Sequence, residues 1–294
     1  MKNSSDLGVD ENRRRIGDRW VTPVGLGCLR LSYFGDVTVE SGVEVILAAL
    51  ESGMTLLDTA DVYGPPHVFG VNEELIKKAL AAWKGDRDQI LVATKGGHER
   101  LDDDTIVPDG RPSSLIKACE RSLCALGVDR IDLYQYHSVD PKVPLAESVG
   151  ALRDLQQSGK IGMIGLSNIG RRQLAEAVAE APIVSVQNEF SPFVQKSAGV
   201  VAECEGRNIA FLSWSPVGGR PASELLQRWP RIAEYARRLG VSPYVVAVAW
   251  QLSVGPHVIP IPGATTAEHA RANAQAATLD LSDLDISKLF SEPG

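Results

Sequence analysis

The 294-residue chain predicts an α/β fold, a single (β/α)8 (TIM) barrel, and three observations carry that expectation. Eight short apolar runs of strand length alternate with segments of helical hydrophobic period, in one unbroken order. Helical segments stop at glycines, Gly53, Gly127 and Gly159, where a left-handed cap is expected. No Pro/Gly/Ser-rich linker or composition shift divides the chain, so residues 1–294 read as one domain. A doubly wound open sheet is the alternative, but no glycine-rich dinucleotide fingerprint follows a first strand.

Residues 1–18 are polar and read as a partly mobile lead-in, without the apolar core of a secretory signal. A short hairpin near Trp20 then precedes the first strand, 24–27. Helix 41–52 places Val43, Ile46, Leu47 and Leu50 on one face. Strand 54–57 ends in Asp58. Helix 72–83 begins at a capping Asn72 and buries Leu75, Ile76, Ala79 and Leu80. Strand 90–94 ends in Lys95, and a polar loop, 96–112, is long enough to suggest a role. Helix 113–126 turns Ile116, Cys119, Leu123 and Leu126 inward, and strand 131–136 ends in His137. Further units follow: helix 145–158, strand 161–166, helix 171–179, strand 183–186, helix 195–207 and strand 209–213 ending at Trp214. Helical stretches 223–239 and 243–253, strand 257–260, helix 267–277 and a C-terminal helical tail near 284–290 complete the chain.

At 44% hydrophobic residues, the chain can bury a sizeable core. A net charge of −7 and no long basic run argue against a nucleic-acid surface. No apolar stretch approaches the roughly 20 residues that span a bilayer. Cys28, Cys119, Cys124 and Cys204 lack metal-type spacing and read as reduced thiols of a cytoplasmic protein with no metal. Asp102, Asp103 and Asp104 read as a solvated turn, and His67, His98 and His257 as structural or solvated.

Three consecutive strands each deliver one titratable residue at their carboxyl ends: Asp58, Lys95 and His137. Tyr63 sits one loop beyond the first. In a barrel those ends share one mouth. A carboxylate at a buried strand end needs a cation, and Lys95 is the candidate. The ammonium is then expected to lower the pKa of Tyr63, ordinarily about 10, so that the phenol can donate a proton. His137 is placed to polarise a carbonyl oxygen. Such a set suits carbonyl reduction by hydride transfer. In the first strand-to-helix loop, Cys28, Leu29, Tyr33 and Phe34 are expected to wall the substrate.

The motifs extend further: Asp58-Thr59-Ala60, Tyr63-Gly64, Thr94-Lys95, Leu133 to His137, Gly165 to Asn168, Gln187 to Pro192, and Ile259 to Gly263. On these the chain resembles the aldo-keto reductases over essentially its whole length. The resemblance implies a catalytic tetrad of Asp58, Tyr63, Lys95 and His137, and NADPH/NADP lying extended across the barrel mouth. It implies that Ser167, Asn168 and Gln187 bind the nicotinamide carboxamide, with Trp214 stacking on the ring where the family commonly has tyrosine. Ser215, Pro216, Val217 and Gly218 would approach the pyrophosphate. Gly263, Ala264, Thr265, His269 and Asn273 would hold the adenosine end. His269 stands where many relatives carry an arginine for the 2′-phosphate, so a weakened preference over NADH is expected; a strong preference would put Arg220 or Arg271 in the arginine's part. The implied activity is reduction of an aldehyde or ketone, reversible as an alcohol dehydrogenase, on a small-molecule partner. A cofactor-sensing module resembling channel subunits and a Schiff-base enzyme using Lys95 are the alternatives.

Overall fold

The computed structural model describes residues 13–103, 105–219, 224, 226, 229–279 and 281. The expected C-terminal tail, Arg220 and Asp104 lie outside the described residues. An antiparallel hairpin, β1 (Arg14–Ile16) and β2 (Arg19–Val21), opens them. It begins inside the stretch read from sequence as a lead-in. Eight parallel strands follow: β3 (Leu26–Gly27), β4 (Leu56–Asp58), β5 (Leu91–Gly96), β8 (Ile131–Tyr136), β9 (Ile161–Ser167), β10 (Ile183–Glu189), β11 (Ala210–Trp214) and β12 (Val258–Pro260). They pair in chain order, which is the barrel the alternation predicts.

Closure joins the last strand to the first. Gly25 N donates to Pro260 O at 3.0 Å, Gly27 N donates to Pro262 O at 3.1 Å, and Gly27 bridges Gly263 in parallel. Proline has no N–H, so at this seam it serves as acceptor only. A Cβ on Gly27 would stand 2.6 Å from Ile261 O, so only glycine lets the seam close.

Strand alternation sorts the side chains. Leu56, Leu91, Ala93, Leu133, Leu212 and Ile259 fill the barrel interior, and Ile16 and Val21 of the hairpin join that cluster, so the hairpin plugs one end of the barrel. Leu57, Val92 and Tyr134 face outward into the larger cluster beneath the helices. One period further along the inward rows come Asp58 after Leu56, Lys95 after Ala93, and Gln135 and then His137 after Leu133. The polar layer therefore sits on an apolar floor.

The helices covering the barrel are α1 (Val39–Glu51), α2 (Val71–Ala82), α3 (Pro112–Leu126), α4 (Leu145–Gln157), α5 (Arg171–Glu180), α6 (Ala198–Gly206), α7 (Pro230–Leu239), α8 (Pro243–Leu252) and α9 (Ala267–Gln275). Thr38 caps α1 by accepting from Ser41 N, and Gly127, at φ 68°, ends α3 in the left-handed cap expected of it. Four sequence expectations change. In α1, Val45 is buried while Val43 and Leu47 are partly exposed; in α3, Leu115 is buried and Ile116 exposed. The N-cap of α2 is Gly70, and Asn72 is a buried tie. The 96–112 stretch contains an antiparallel hairpin, β6 (His98–Arg100) and β7 (Ile106–Pro108), folded over the mouth. The short elements escaped notice because too few residues carry their period.

Candidate active site

Asp58, Tyr63, Lys95 and His137 converge at the carboxyl end of the barrel. Lys95 Nζ donates to Asp58 Oδ2 at 2.7 Å, to Thr59 O at 2.7 Å and to Tyr63 OH at 3.2 Å. All three ammonium protons have acceptors. The lysine is fully buried and Asp58 nearly so. Leaving such a pair half satisfied costs several kcal/mol, on the order of 3 to 5 for a lost partner. The carboxylate is met on its other oxygen as well: Asp58 Oδ1 accepts from Gln187 Nε2 at 2.6 Å and from Gln135 Nε2 at 3.2 Å.

Burial works against the Lys95 ammonium, but Asp58 and Tyr63 outweigh it and the lysine's pKa is raised. Burial likewise pushes the Tyr63 phenol up from its ordinary value, and Lys95 pulls it only part of the way back. This corrects the expected net lowering. Desolvation is the larger effect, so the hydroxyl keeps its proton at neutral pH. His137 lies edge-on to Tyr63, with ring centroids 5.7 Å apart. Burial, then His98 and Lys95, hold its pKa well below the ordinary value, so the imidazole is neutral.

The loop carrying Tyr63 is tied down from two sides. Asn72 Nδ2 donates to Cys28 O at 2.9 Å and to Ser32 Oγ at 2.6 Å, and its Oδ1 accepts from Thr59 Oγ1 at 2.7 Å. Ser32 Oγ donates to Tyr63 O at 2.8 Å. Behind the loop, Asp61 and Glu73 are both buried and share the influence of one guanidinium, with Arg121 Nη2 3.0 Å from Asp61 Oδ2. Burial, then Glu73, raise Asp61 to about 7, with Arg121 opposing.

A cavity of about 850 Å³ runs from Tyr63 and His137, past Ser167, Asn168, Gln187 and Trp214, to Gly263, His269 and Asn273. Asn168, at φ 57°, donates from Nδ2 to His137 O at 3.0 Å and accepts at Oδ1 from Trp214 Nε1 at 3.1 Å. Ser167 Oγ donates to Gln187 O at 2.8 Å. Ser215, Pro216 and Val217 continue the lining, but Gly219 takes the place expected of Gly218. At the far end Thr266 caps α9, accepting from His269 N at 3.2 Å, and Asn273 Nδ2 donates to Gly263 O at 3.2 Å. Ala264 and Thr265 lie outside the lining, Ala264 being buried.

Of the four residues expected to wall the substrate, Leu29, Tyr33 and Phe34 line the cavity. Cys28 does not. It is fully buried, its thiol turned toward Leu26 O, because the strand it continues points it away from the mouth. Among the lining residues that escaped the sequence reading are His98 and Arg30. His98 stacks on His137, and its position three residues past Lys95 was the available signal. Arg30 pairs with Asp36 at 2.8 Å, lies beside Gly263 and keeps a buried Nε without a partner. Arg271 Nη2 instead stands 3.8 Å from Glu51.

Among the described residues no group of three or more His, Cys, Asp or Glu is placed to hold a metal. The four cysteines are unpaired, and no described helix is long and apolar enough to cross a membrane.

Comparison with known proteins matches the aldo/keto reductase family to residues 23–291. An uncharacterized oxidoreductase of Schizosaccharomyces pombe is 33% identical over 99% of this chain and 94% of its own length. Among solved structures, a thermostable aldo-keto reductase in complex with the inhibitor epalrestat superposes with a TM-score of 0.80 at 29% identity, covering 95% of this chain and 98% of that one. An aldo/keto reductase from Klebsiella pneumoniae in complex with NADP and acetate has a TM-score of 0.78 at 25% identity, covering 95% and 94%.

Proposed function

This chain belongs to the aldo/keto reductase family, and from that premise we propose that it reduces an aldehyde or ketone to the alcohol, reversibly, with NADPH. One observation carries the reading: Tyr63 OH lies 3.2 Å from a Lys95 ammonium that Asp58 holds at 2.7 Å, at the wall of a large cavity.

The cavity suits an extended dinucleotide. Amides of Asn168 and Gln187 stand at its inner end, an indole follows, and the N-terminus of α9 stands at the outer end beside the unpartnered Arg30 Nε. Gln187 spends its NH2 on Asp58, which leaves its carbonyl oxygen to accept from a carboxamide. A helix N-terminus favours phosphate. His269 is exposed at that end, so an anion there meets less charge than an arginine would give.

When bound, the nicotinamide would supply the hydride that adds to the carbonyl carbon. Tyr63 breaks its O–H bond as the proton passes to the carbonyl oxygen, and the pair of electrons stays on the phenolate. Lys95 stabilises that charge as it forms, which is when its attraction matters most. Neutral His137 orients the carbonyl oxygen. Lys95 itself is a poor nucleophile: its protons are all committed and its pKa is raised, which disfavours the Schiff-base reading.

Tyr63→Phe tests the assignment. Turnover of a carbonyl panel with NADPH should fall by about 10²- to 10⁴-fold, the usual worth of a positioned acid, while cofactor affinity holds. Turnover within about tenfold of wild type would remove Tyr63 from the role. Absence of turnover in the wild type, with cofactor still bound, would favour the cofactor-sensing alternative.

A further inference from the structure

We infer that His98 makes this a site for carbonyls that carry a second oxygen on the adjacent carbon, 2-hydroxy aldehydes and their 1,2-dicarbonyl counterparts; the inference rests on the reductase reading above. His98 begins β6, separated only by Gly97 from the end of β5, the strand that carries Lys95. Its ring stacks on His137 with centroids 4.0 Å apart and planes 25° from parallel. In both rings Nδ1 is buried without a partner. Neither Nε2 is sealed, and neither bonds to a described residue, so these are the edges open to the cavity that both residues line.

A buried N–H with no acceptor is less tolerable than a bare lone pair, so the tautomer with its proton on Nε2 is favoured in each ring. Burial, then Lys95, lower His98 to about 4, so both rings are neutral at pH 7 and each offers one N–H. Side by side these make two donors, beside the Tyr63 hydroxyl. A simple carbonyl oxygen uses the hydroxyl and one imidazole. The second donor is then left without an acceptor in a cavity whose lining includes Leu29, Phe34, Val62 and Ile106. An oxygen on the neighbouring carbon lies about one hydrogen-bond length from the carbonyl oxygen and matches the neighbouring ring. Sites built to bond a substrate hydroxyl discriminate against the analogue that lacks it.

The balance is that of the parent reaction. Hydride adds to the carbonyl carbon, Tyr63 protonates its oxygen, NADPH is oxidised, and a 2-hydroxy aldehyde becomes a vicinal diol.

Lactaldehyde and propanal differ by the one oxygen in question. With the full chain and NADPH, wild type should favour lactaldehyde in kcat/KM. His98→Leu should lose about tenfold or more on lactaldehyde, mainly in KM, while propanal changes by less than about threefold. His98→Asn, which keeps a donor, should recover much of the loss. NADPH fluorescence titration of each variant reports whether the fold and cofactor site are intact. Equal losses on both aldehydes would reduce His98 to a prop for His137, and no loss on lactaldehyde would remove it from substrate contact; either overturns the inference and leaves the reductase reading standing. A wild type that binds NADPH but turns over no carbonyl overturns both.

Discussion

Replacing Asp61 by asparagine should make the protein more stable, and increasingly so as pH rises. Asp61 is fully buried behind the Tyr63 loop with Glu73 nearby, and one of its oxygens has no partner. Its pKa rises from 3.8 to about 7 on folding, burial being the main cause and Glu73 the second. The folded value lies above the unfolded one, so between them the native state binds the extra proton and stability falls as pH increases. A tenfold change in proton affinity is worth about 1.4 kcal/mol, so full ionisation costs the fold up to about 4 kcal/mol, reached above about pH 7. Asparagine has the same shape, keeps an oxygen for Arg121 and never ionises. The urea-unfolding free energy of Asp61→Asn minus that of wild type, followed by tryptophan fluorescence, should therefore grow by about 2 to 3 kcal/mol from pH 5 to pH 8. A difference that is flat with pH, or a variant less stable at pH 8, would mean that Arg121 alone offsets the burial and that the reasoning fails.

Trp214→Phe keeps an aromatic face but removes the N–H that holds Asn168 Oδ1 at 3.1 Å. NADP(H) should bind about 5- to 10-fold more weakly, a net hydrogen bond's worth, in a fluorescence titration; unchanged affinity would leave stacking as the indole's whole contribution. His269→Arg places a permanent cation at the outer end of the cavity and should raise the NADPH-over-NADH ratio in kcat/KM about 5- to 30-fold. An unchanged ratio would put the 2′-phosphate elsewhere, with Arg30, a cation in the cavity lining, as the next candidate.

What the amino-acid order determined by itself was the barrel and the meeting of Asp58, Lys95 and His137 at its mouth. Eight strands and their helices are written in hydrophobic period, and period survives without knowledge of any contact. Asp58, Lys95 and His137 were legible for the same reason, since each ends an apolar run, and even Gln135 can be found by counting two past Leu133. Tertiary structure decided the rest, because it depends on distances across the barrel. Asn72 looked like a helix cap and is a tie between two loops, since its partners Cys28 and Ser32 come from another strand's loop. His98 looked incidental until β6 and β7 folded over the mouth and laid it on His137. The sign of the Tyr63 shift also waited for coordinates, because it is a contest between desolvation and one ammonium, and how deeply a phenol is buried is not a property of its neighbours in sequence.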